Sequence, residues 1–211
     1  MGRANILKPG RGMDGHRPIG RSELPIDTVC LARYLIGKVL VRALPEGVAS
    51  GRIVETEAYV VGDAAAHAYR GITQRNRSLF LEHGHAYVYL AYGTSFMLNV
   101  SSETPGIGAG VLIRALEPLE GIPIMQVNRG TERLRDLARG PGRLAAALRI
   151  DLCLDGLDLC REGPLWLGYS DHEPGKIGES VRIGISRDVD RLLRFYGPGS
   201  PFVSGSKLLR Q

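Results

Sequence analysis

The sequence lacks the features that mark membrane, secreted and disulfide-stabilised proteins. No segment of the 211 residues approaches the roughly 20 apolar residues that span a bilayer, and the N-terminus has no hydrophobic signal core. The three cysteines, Cys30, Cys153 and Cys160, are an odd number without CxxC spacing. We therefore expect a soluble cytoplasmic protein with neither a disulfide framework nor a zinc site, in which Cys153 and Cys160 are small buried side chains.

Lysine is also scarce, with four residues against 23 arginines. The net charge of +5 is concentrated in residues 1–21, which hold five basic side chains and one acidic side chain, whereas the other 190 residues hold 22 and 21. We predict a flexible basic N-terminal arm at 1–21 and one domain at 22–211. Because that domain is nearly neutral, any binding of nucleic acid must depend on the local arginine clusters at 67–77 and 129–149.

Short structural elements alternate with glycine- and proline-rich turns along the domain. Asp27 can cap a short helix that ends at Gly37, and further helices are expected from Pro118 toward Asn128 and over 143–150. Strands are expected in two hairpins, 38–44 with 52–61 and 85–92 with 95–102, and then at 111–116, 165–168, 181–186 and 192–196. The pattern predicts an α+β fold, a single domain with a curved, mainly antiparallel sheet flanked by short helices.

The most unusual stretch is the strand Ile53-Val-Glu-Thr-Glu-Ala-Tyr59. Side chains two residues apart on a strand share a face, so Glu55 and Glu57 point the same way at a separation of about 7 Å. A solvated strand face is the ordinary explanation of such a pair. A catalytic carboxylate is the alternative, because burial beside an aromatic ring raises a carboxyl pKa and suits it to act as a general base. The residues alone leave both interpretations open.

Tyrosines form the second signal, because five of the eight fall within 34 residues: Tyr59, Tyr69, Tyr87, Tyr89 and Tyr92. Tyrosines in sheets are usually packing residues, and Tyr87 and Tyr89 share one face of their strand. Tyr92 instead precedes Gly93 at a tight turn, where an exposed ring can act as a wedge. Aromatic rings interleaved with arginines are typical of surfaces that contact bases and phosphates.

The segment 64–81 contains no acidic residue but holds His67, Arg70, Arg75 and Arg77. A lone histidine is more often a structural residue than a functional one. Arg75 and Arg77 can clamp a phosphate, although a solvated run of charge is the common alternative. The sequence therefore indicates a basic loop whose role its composition does not decide.

Several ordered blocks resemble the alkyladenine (3-methyladenine) DNA glycosylase family. They include Gly51-Arg-Ile-Val-Glu-Thr-Glu-Ala-Tyr59, Ala65-Ala-His67, Arg75-Asn-Arg77, Tyr87-Val-Tyr89 with Tyr92-Gly93, Leu112-Ile-Arg114-Ala-Leu-Glu-Pro-Leu-Glu-Gly121 and Gly140-Pro-Gly-Arg-Leu144. Leu193-Arg-Phe-Tyr and Gly199-Ser-Pro-Phe-Val-Ser204 continue the likeness, which extends from about Leu24 to Ser204. The resemblance implies a monofunctional enzyme that flips damaged purines out of duplex DNA and hydrolyses the N-glycosidic bond. The implied substrates are 3-methyladenine, 7-methylguanine, hypoxanthine and ethenoadenine.

The resemblance also implies roles for individual residues. Glu57 would activate the attacking water, held by Arg114 and the backbone carbonyl of Ile183. The base pocket would be formed by Tyr59, His67, Tyr89 and Asn99, of which Asn99 would exclude the exocyclic amine of normal guanine. Tyr92 would fill the gap left in the duplex, and further DNA contacts would come from Arg70, Arg75, Arg77, Leu112 and Arg143.

No lysine lies near these blocks to form a Schiff base, so water is the expected nucleophile. The family implies no metal or cofactor, double-stranded DNA as the partner, monomeric action, and association with the nucleoid if the source is bacterial. One alternative is a relative that binds nucleic acid without catalysis. Another is a carbohydrate glycosidase that uses Glu55 and Glu57, although its two carboxylates would have to flank a bond from opposite sides.

Overall fold

One curled antiparallel sheet organises residues 16–205, the part of the chain that the computed structural model describes. Its strands follow the order β3-β4-β5-β2-β1-β6, with β8 beside β2 and β7 beside β8, and every pairing is antiparallel. The strands are β1 (Val39–Leu44), β2 (Gly47–Tyr59), β3 (Ala86–Ala91), β4 (Ser95–Ser101), β5 (Gly110–Glu120), β6 (Leu165–Gly168), β7 (Gly178–Ser180) and β8 (Arg194–Tyr196). The predicted α+β fold with a curved antiparallel sheet is confirmed.

Strand β2 lies at the centre of the sheet and is its longest strand. Its residues 47–52 pair with β1, and beyond the first residue of β1 its residues 55–57 pair with β8 instead. Strand β5 runs along the other edge of β2 over nearly its whole length. Residues 55–57 are therefore paired with strands on both edges, and the side chains of all three are fully buried.

Three helices pack on the sheet: α1 (Thr28–Leu35), α2 (Ile122–Arg129) and α3 (Pro141–Ala147). Helix α1 begins as predicted, because the Asp27 side chain accepts a hydrogen bond from the backbone N–H of Cys30 at 2.8 Å. It buries Leu31 and Leu35, and each such leucine contributes about 1.5–3 kcal/mol through burial of apolar surface. This face of α1 supports β2 from behind, where Thr56 Oγ1 donates to the Ala32 carbonyl at 2.9 Å.

The structure corrects two of the predicted elements. Pro118 does not begin a helix: β5 continues to Glu120, and Pro118 pairs with Gly51 beside a shift of register, where a residue without an N–H is tolerated. The predicted strand at 181–186 is also wrong, because β7 ends at Ser180. The segment that follows gives the Ile183 N–H to a side chain of β2 and turns Arg182 into the interior.

Most of the predicted basic arm lies outside the described residues, as do residues 206–211. Its last six residues pack on the domain: Ile19 is fully buried and its N–H donates to the Leu167 carbonyl at 2.9 Å. Within 16–205, no helix is long and apolar enough to cross a membrane. The three cysteines are free thiols, and Cys153 is exposed rather than buried.

Candidate active site

A cavity of about 570 Å³ opens at the ends of β2 and β5, beside the turn between β3 and β4. Its walls come from these four strands, from the loop 64–68 and from the segment 183–187. Nine of the predicted site residues line it: Tyr59, His67, Arg75, Tyr89, Tyr92, Asn99, Leu112, Arg114 and Ile183. Residues that are up to 124 positions apart in the sequence thus meet around one space.

Glu57 is fully buried behind the lining of this cavity, so the interpretation as a solvated strand face is wrong. Its Oε1 accepts the Ile183 backbone N–H at 2.7 Å and lies 3.1 Å from Arg114 Nη1, and its Oε2 accepts the Tyr59 hydroxyl at 3.0 Å. Burial raises the pKa of Glu57 above its ordinary value, and Arg114 and the Ile183 N–H only partly oppose this effect. The three groups that hold Glu57 all line the cavity.

Glu55 is equally buried but has a different environment. Its Oε1 accepts from Arg114 Nε at 2.8 Å, Arg194 Nε at 2.7 Å and Ser204 Oγ at 2.8 Å, and its Oε2 accepts the Ser204 backbone N–H at 2.6 Å. Burial opposes ionisation, but these donors outweigh it and hold the pKa of Glu55 below its ordinary value. Glu55 is enclosed by protein groups, which argues against a glycosidase that uses both carboxylates.

Arg114 connects the two carboxylates. The β2–β5 ladder steps from the pair Glu55–Ala115 to the pair Thr56–Ile113, so Arg114 is the additional residue of a bulge in β5. A bulge redirects a side chain, and such irregularities are frequent beside active sites. Here it brings one guanidinium within hydrogen-bond distance of Glu55 and Glu57 together.

Three aromatic rings form one wall of the cavity. The rings of Tyr87 and Tyr89 stack with centroids 5.3 Å apart, which confirms that these residues share a face, and the His67 ring meets Tyr89 edge-on at 4.4 Å. His67 Nδ1 lies 2.9 Å from the Tyr87 hydroxyl. Burial, assisted by the charge of Arg75, lowers the pKa of His67, which favours a neutral imidazole at the wall.

Tyr59 forms the opposite part of the cavity and is supported by two residues that the sequence did not single out. The Arg182 guanidinium lies 4.7 Å from the centre of the Tyr59 ring. Arg182 is in turn held by the buried Asp63 through Nη2–Oδ1 at 3.1 Å, and by the Ala58 carbonyl at 3.0 Å. Asp63 and Arg182 are 119 positions apart, so no local sequence pattern indicates this pair.

Asn99 and Leu112 occupy adjacent strands of the cavity wall. They face each other in the β4–β5 ladder, and Leu112 also pairs with Glu57 in the β2–β5 ladder. Asn99 donates to the Tyr87 carbonyl at 3.3 Å. Leu112, predicted as a DNA contact, is nearly buried and therefore belongs to the interior of the cavity rather than to the outer surface.

Tyr92 stands at the mouth of the cavity on the turn between β3 and β4. Its side chain is 86% exposed, as predicted for a ring at a tight turn. The turn is closed by a hydrogen bond from the Thr94 N–H to the Ala91 carbonyl at 3.1 Å, and both Tyr92 and Gly93 have positive φ, as in a type I′ turn. A side chain in the left-handed region costs about 1 kcal/mol, so the fold holds this ring outward against a local conformational preference.

The predicted arginines do not all lie together. Arg75 is at the mouth, with its guanidinium 5.6 Å from the Tyr89 ring centre and bonded to the Leu90 carbonyl at 3.1 Å. Arg70 lines a smaller adjoining pocket of about 260 Å³, and Arg77 is exposed nearby at the start of a 3₁₀ turn. Arg143 instead lies on α3 in a separate groove, where it pairs with Asp136 at 3.1 Å.

Comparison with known proteins shows the family to which the chain belongs. The family model described as methylpurine-DNA glycosylase matches residues 22–201. A protein of Mesorhizobium japonicum is 72% identical over the full length of both chains. Proteins of Paraburkholderia phytofirmans and Methanoculleus marisnigri are 53% and 47% identical, covering 91% and 84% of this chain and 90% and 94% of their own lengths. All three carry the provisional name 3-methyladenine DNA glycosylase, and the chain belongs to the methylpurine-DNA glycosylase family.

Proposed function

We propose that the protein excises 3-methyladenine, 7-methylguanine, hypoxanthine and ethenoadenine from double-stranded DNA by hydrolysis, acting as a monomer. The observation that carries the proposal is the fully buried Glu57, held by Arg114, Tyr59 and the Ile183 N–H, three groups that line an aromatic cavity. Membership of the methylpurine-DNA glycosylase family supports it. The family relatives that share the name 3-methyladenine DNA glycosylase support the choice of substrate class.

The cavity explains why the base must leave the duplex. A base within the stack cannot reach a group buried as deeply as Glu57, so the nucleotide has to rotate outward at a cost of a few kcal/mol. Tyr59, His67 and Tyr89 offer aromatic faces for the extruded purine, and methylated purines gain additional attraction from such faces because they are cationic. Tyr92 has the exposure and the position to fill the gap that the nucleotide leaves.

In the proposed reaction Glu57 is the general base. It takes a proton from a water molecule held beside Arg114, and the water oxygen forms a bond to the anomeric carbon of the deoxyribose. The bond between that carbon and the purine nitrogen breaks, and its electron pair leaves with the purine. A raised pKa makes the Glu57 carboxylate a stronger base than an exposed glutamate, which is the property that this step requires. In this reaction water is the nucleophile and the product is an abasic site with an intact strand.

Glu57→Gln tests the function directly. The amide keeps the size of the side chain but cannot accept the proton, so we expect single-turnover excision of hypoxanthine from a labelled duplex to fall at least ~100-fold. Binding of the duplex should be retained. Glu120→Gln, at an exposed carboxylate at the end of β5, is the matched control and should excise at the wild-type rate.

Equal rates for Glu57→Gln and wild type would contradict the role of Glu57. Wild-type protein that binds the duplex but releases no base from any of the four substrates would instead identify a relative that binds nucleic acid without catalysis.

A further inference from the structure

Glu55 has no part in the proposed reaction, yet it is the most extensively bonded carboxylate of the site. It is fully buried and accepts four hydrogen bonds, two of them from the guanidinium groups of Arg114 and Arg194. A buried side chain with this number of charged donors stays ionised over the range in which enzymes work. Glu55 is therefore a fixed negative charge two residues from Glu57 and on the same face of β2.

The first consequence concerns geometry. Arg114 uses Nε to bond Glu55 and Nη1 to reach Glu57, so one carboxylate holds the guanidinium in the orientation in which it meets the other. Its remaining contact, from Nη2 to Ser204 Oγ, is long at 3.4 Å. Glu55 is thus the group that determines where Arg114 stands relative to Glu57.

The second consequence concerns charge. Arg194 is almost completely buried, pairs across the β2–β8 ladder with Glu57, and gives its Nε to Glu55. Its other bonds go to neutral groups, Ser180 Oγ at 3.0 Å and the Ser204 carbonyl at 2.9 Å. Without Glu55, two buried positive charges would act on Glu57 with no negative charge beside them.

Titratable and charged groups approach Glu57 from every element packed around it. On β2 itself, these groups are Glu55 and Tyr59. The groups on other elements are Tyr89 on β3, Arg114 on β5, Arg194 on β8 and Arg182 behind the Tyr59 ring. Glu55 is the negatively charged residue of this set, and its carboxylate is bonded to both Arg114 and Arg194. Its charge raises the pKa of Glu57, which opposes the effect of Arg114.

We propose that Glu55 is a positioning residue for the reaction: as a permanent anion it fixes Arg114 against Glu57 and offsets the charges of Arg114 and Arg194, so that Glu57 keeps its strength as a base. This inference rests on the proposed function. A purely structural role is the competing explanation, because Glu55 also holds the segment around Ser204 in place.

The two explanations differ in the pH dependence of the rate. The substrate for the test is a duplex that contains 7-methylguanine, because this base is already cationic and leaves without a proton. Its rate therefore declines at low pH only as Glu57 becomes protonated. Without the Glu55 charge, nothing offsets the positive charges of Arg114 and Arg194, which lower the pKa of Glu57. Glu55→Gln should therefore lower the pH at which the rate declines by about one unit and reduce the plateau rate.

Two further variants complete the test. Arg194→Gln removes a positive charge from the other side of Glu55 and should move the decline to higher pH. Ser204→Ala removes one neutral hydrogen bond from the same carboxylate and the long contact of Arg114 Nη2, without a change of charge, and should leave the decline where it is in the wild type. Opposite shifts for the two charge variants support the inference, because a loss of packing alone does not reverse sign with charge.

If the excision rates of the wild type and of all three variants declined at the same pH, the inference would be overturned. Should Glu55→Gln not yield folded protein, Arg194→Gln decides alone: a shift to higher pH supports the role of Glu55, and an unmoved decline overturns it. Wild-type protein that leaves 7-methylguanine in the duplex would contradict the proposed function itself, so the two failures are distinguishable.

Discussion

The floor and the rim of the cavity use charge in opposite ways. The floor, as we call the buried cluster behind the cavity lining, consists of Glu55, Glu57, Arg114 and Arg194. Glu55 bonds Arg194 at 2.7 Å and Arg114 at 2.8 Å, and Arg114 lies 3.1 Å from Glu57. The rim, as we call the exposed side chains at and beside the cavity, consists of Arg75 and Tyr92 in its lining, Arg70 in the adjoining pocket, and Arg77, which follows Asn76 of that pocket in the sequence. No ion pair formed within residues 16–205 involves any of the three rim arginines.

This difference indicates that the two regions have separate functions. Charges that are neutralised inside the protein cannot attract a distant polyanion, but they act strongly on each other because water is excluded. Exposed arginines without acidic partners can meet phosphates directly. We therefore expect changes in the floor to alter the rate of excision, and changes in the rim to alter the binding of DNA.

The largest effect is expected for Arg114→Met. It leaves the buried Glu55 and Glu57 without a shared cation, and loss of one partner from a buried pair costs about 3–5 kcal/mol of the free energy of unfolding. Excision should fall at least ~100-fold, with most of the binding to DNA retained in the protein that folds. Urea unfolding and single-turnover kinetics measure the two effects.

The control for this change is Arg52→Met, which breaks a pair with Glu117 on the same two strands whose side chains are 21% and 34% exposed. It should cost less than Arg114→Met, because water still reaches both partners, and it should leave the rate unchanged. If Arg114→Met instead weakened binding and preserved the rate, the floor would not be the chemical half of the site.

A smaller effect is expected for Tyr92→Ala at the rim. Stacking of a base on an aromatic ring contributes about 1–3 kcal/mol by alanine substitution, so binding to a duplex with an abasic site should weaken by about 10-fold or more. Fluorescence anisotropy at fixed salt measures this change. Tyr92→Phe keeps the ring and should bind as the wild type does, whereas unchanged binding by Tyr92→Ala would remove Tyr92 from the interface.

The smallest effect concerns the rim arginines. The double change of Arg75 and Arg77 to alanine should lower the slope of log affinity against log salt by about 1 for each phosphate contact that is lost. Arg161→Ala removes an exposed arginine outside the cavity lining and should leave the slope unchanged.

Arg143→Ala should have a weaker effect on the slope than Arg75→Ala, because Asp136 already partners Arg143. If all the variants had the wild-type slope of log affinity against log salt, the DNA would bind at another surface of the protein.

The sequence predicted the sheet and the first helix because these depend on local patterns, whereas most of the cavity lining was expected only from the resemblance to the glycosylase family. Alternation along β2 placed Glu55 and Glu57 on one face, and the tight turn before Gly93 placed Tyr92 outside. Both are properties of neighbouring residues, and both agree with the structure.

What the sequence did not predict depends on distant contacts. Whether Glu57 was solvated or buried was decided by distant segments, among them the one whose Ile183 N–H bonds the Glu57 carboxylate from 126 positions later. The role of Arg194 and the pair of Asp63 with Arg182 have the same origin. Residues 181–186 have the composition of a strand, but their N–H groups and side chains are engaged by the site instead of by a sheet.

The bonds between Glu55 and Ser204 have a consequence for the synthesis of the protein. These residues are separated by 149 positions, so Glu55 leaves the ribosome long before the groups that bond its Oε2 exist. A chain stopped before Ser204 would hold Glu55 with two of its four hydrogen bonds missing. Contacts of such long range carry the entropy cost of closing a long loop. The buried cluster around Glu55 and Glu57 can therefore be completed only after the chain has been synthesised through Ser204.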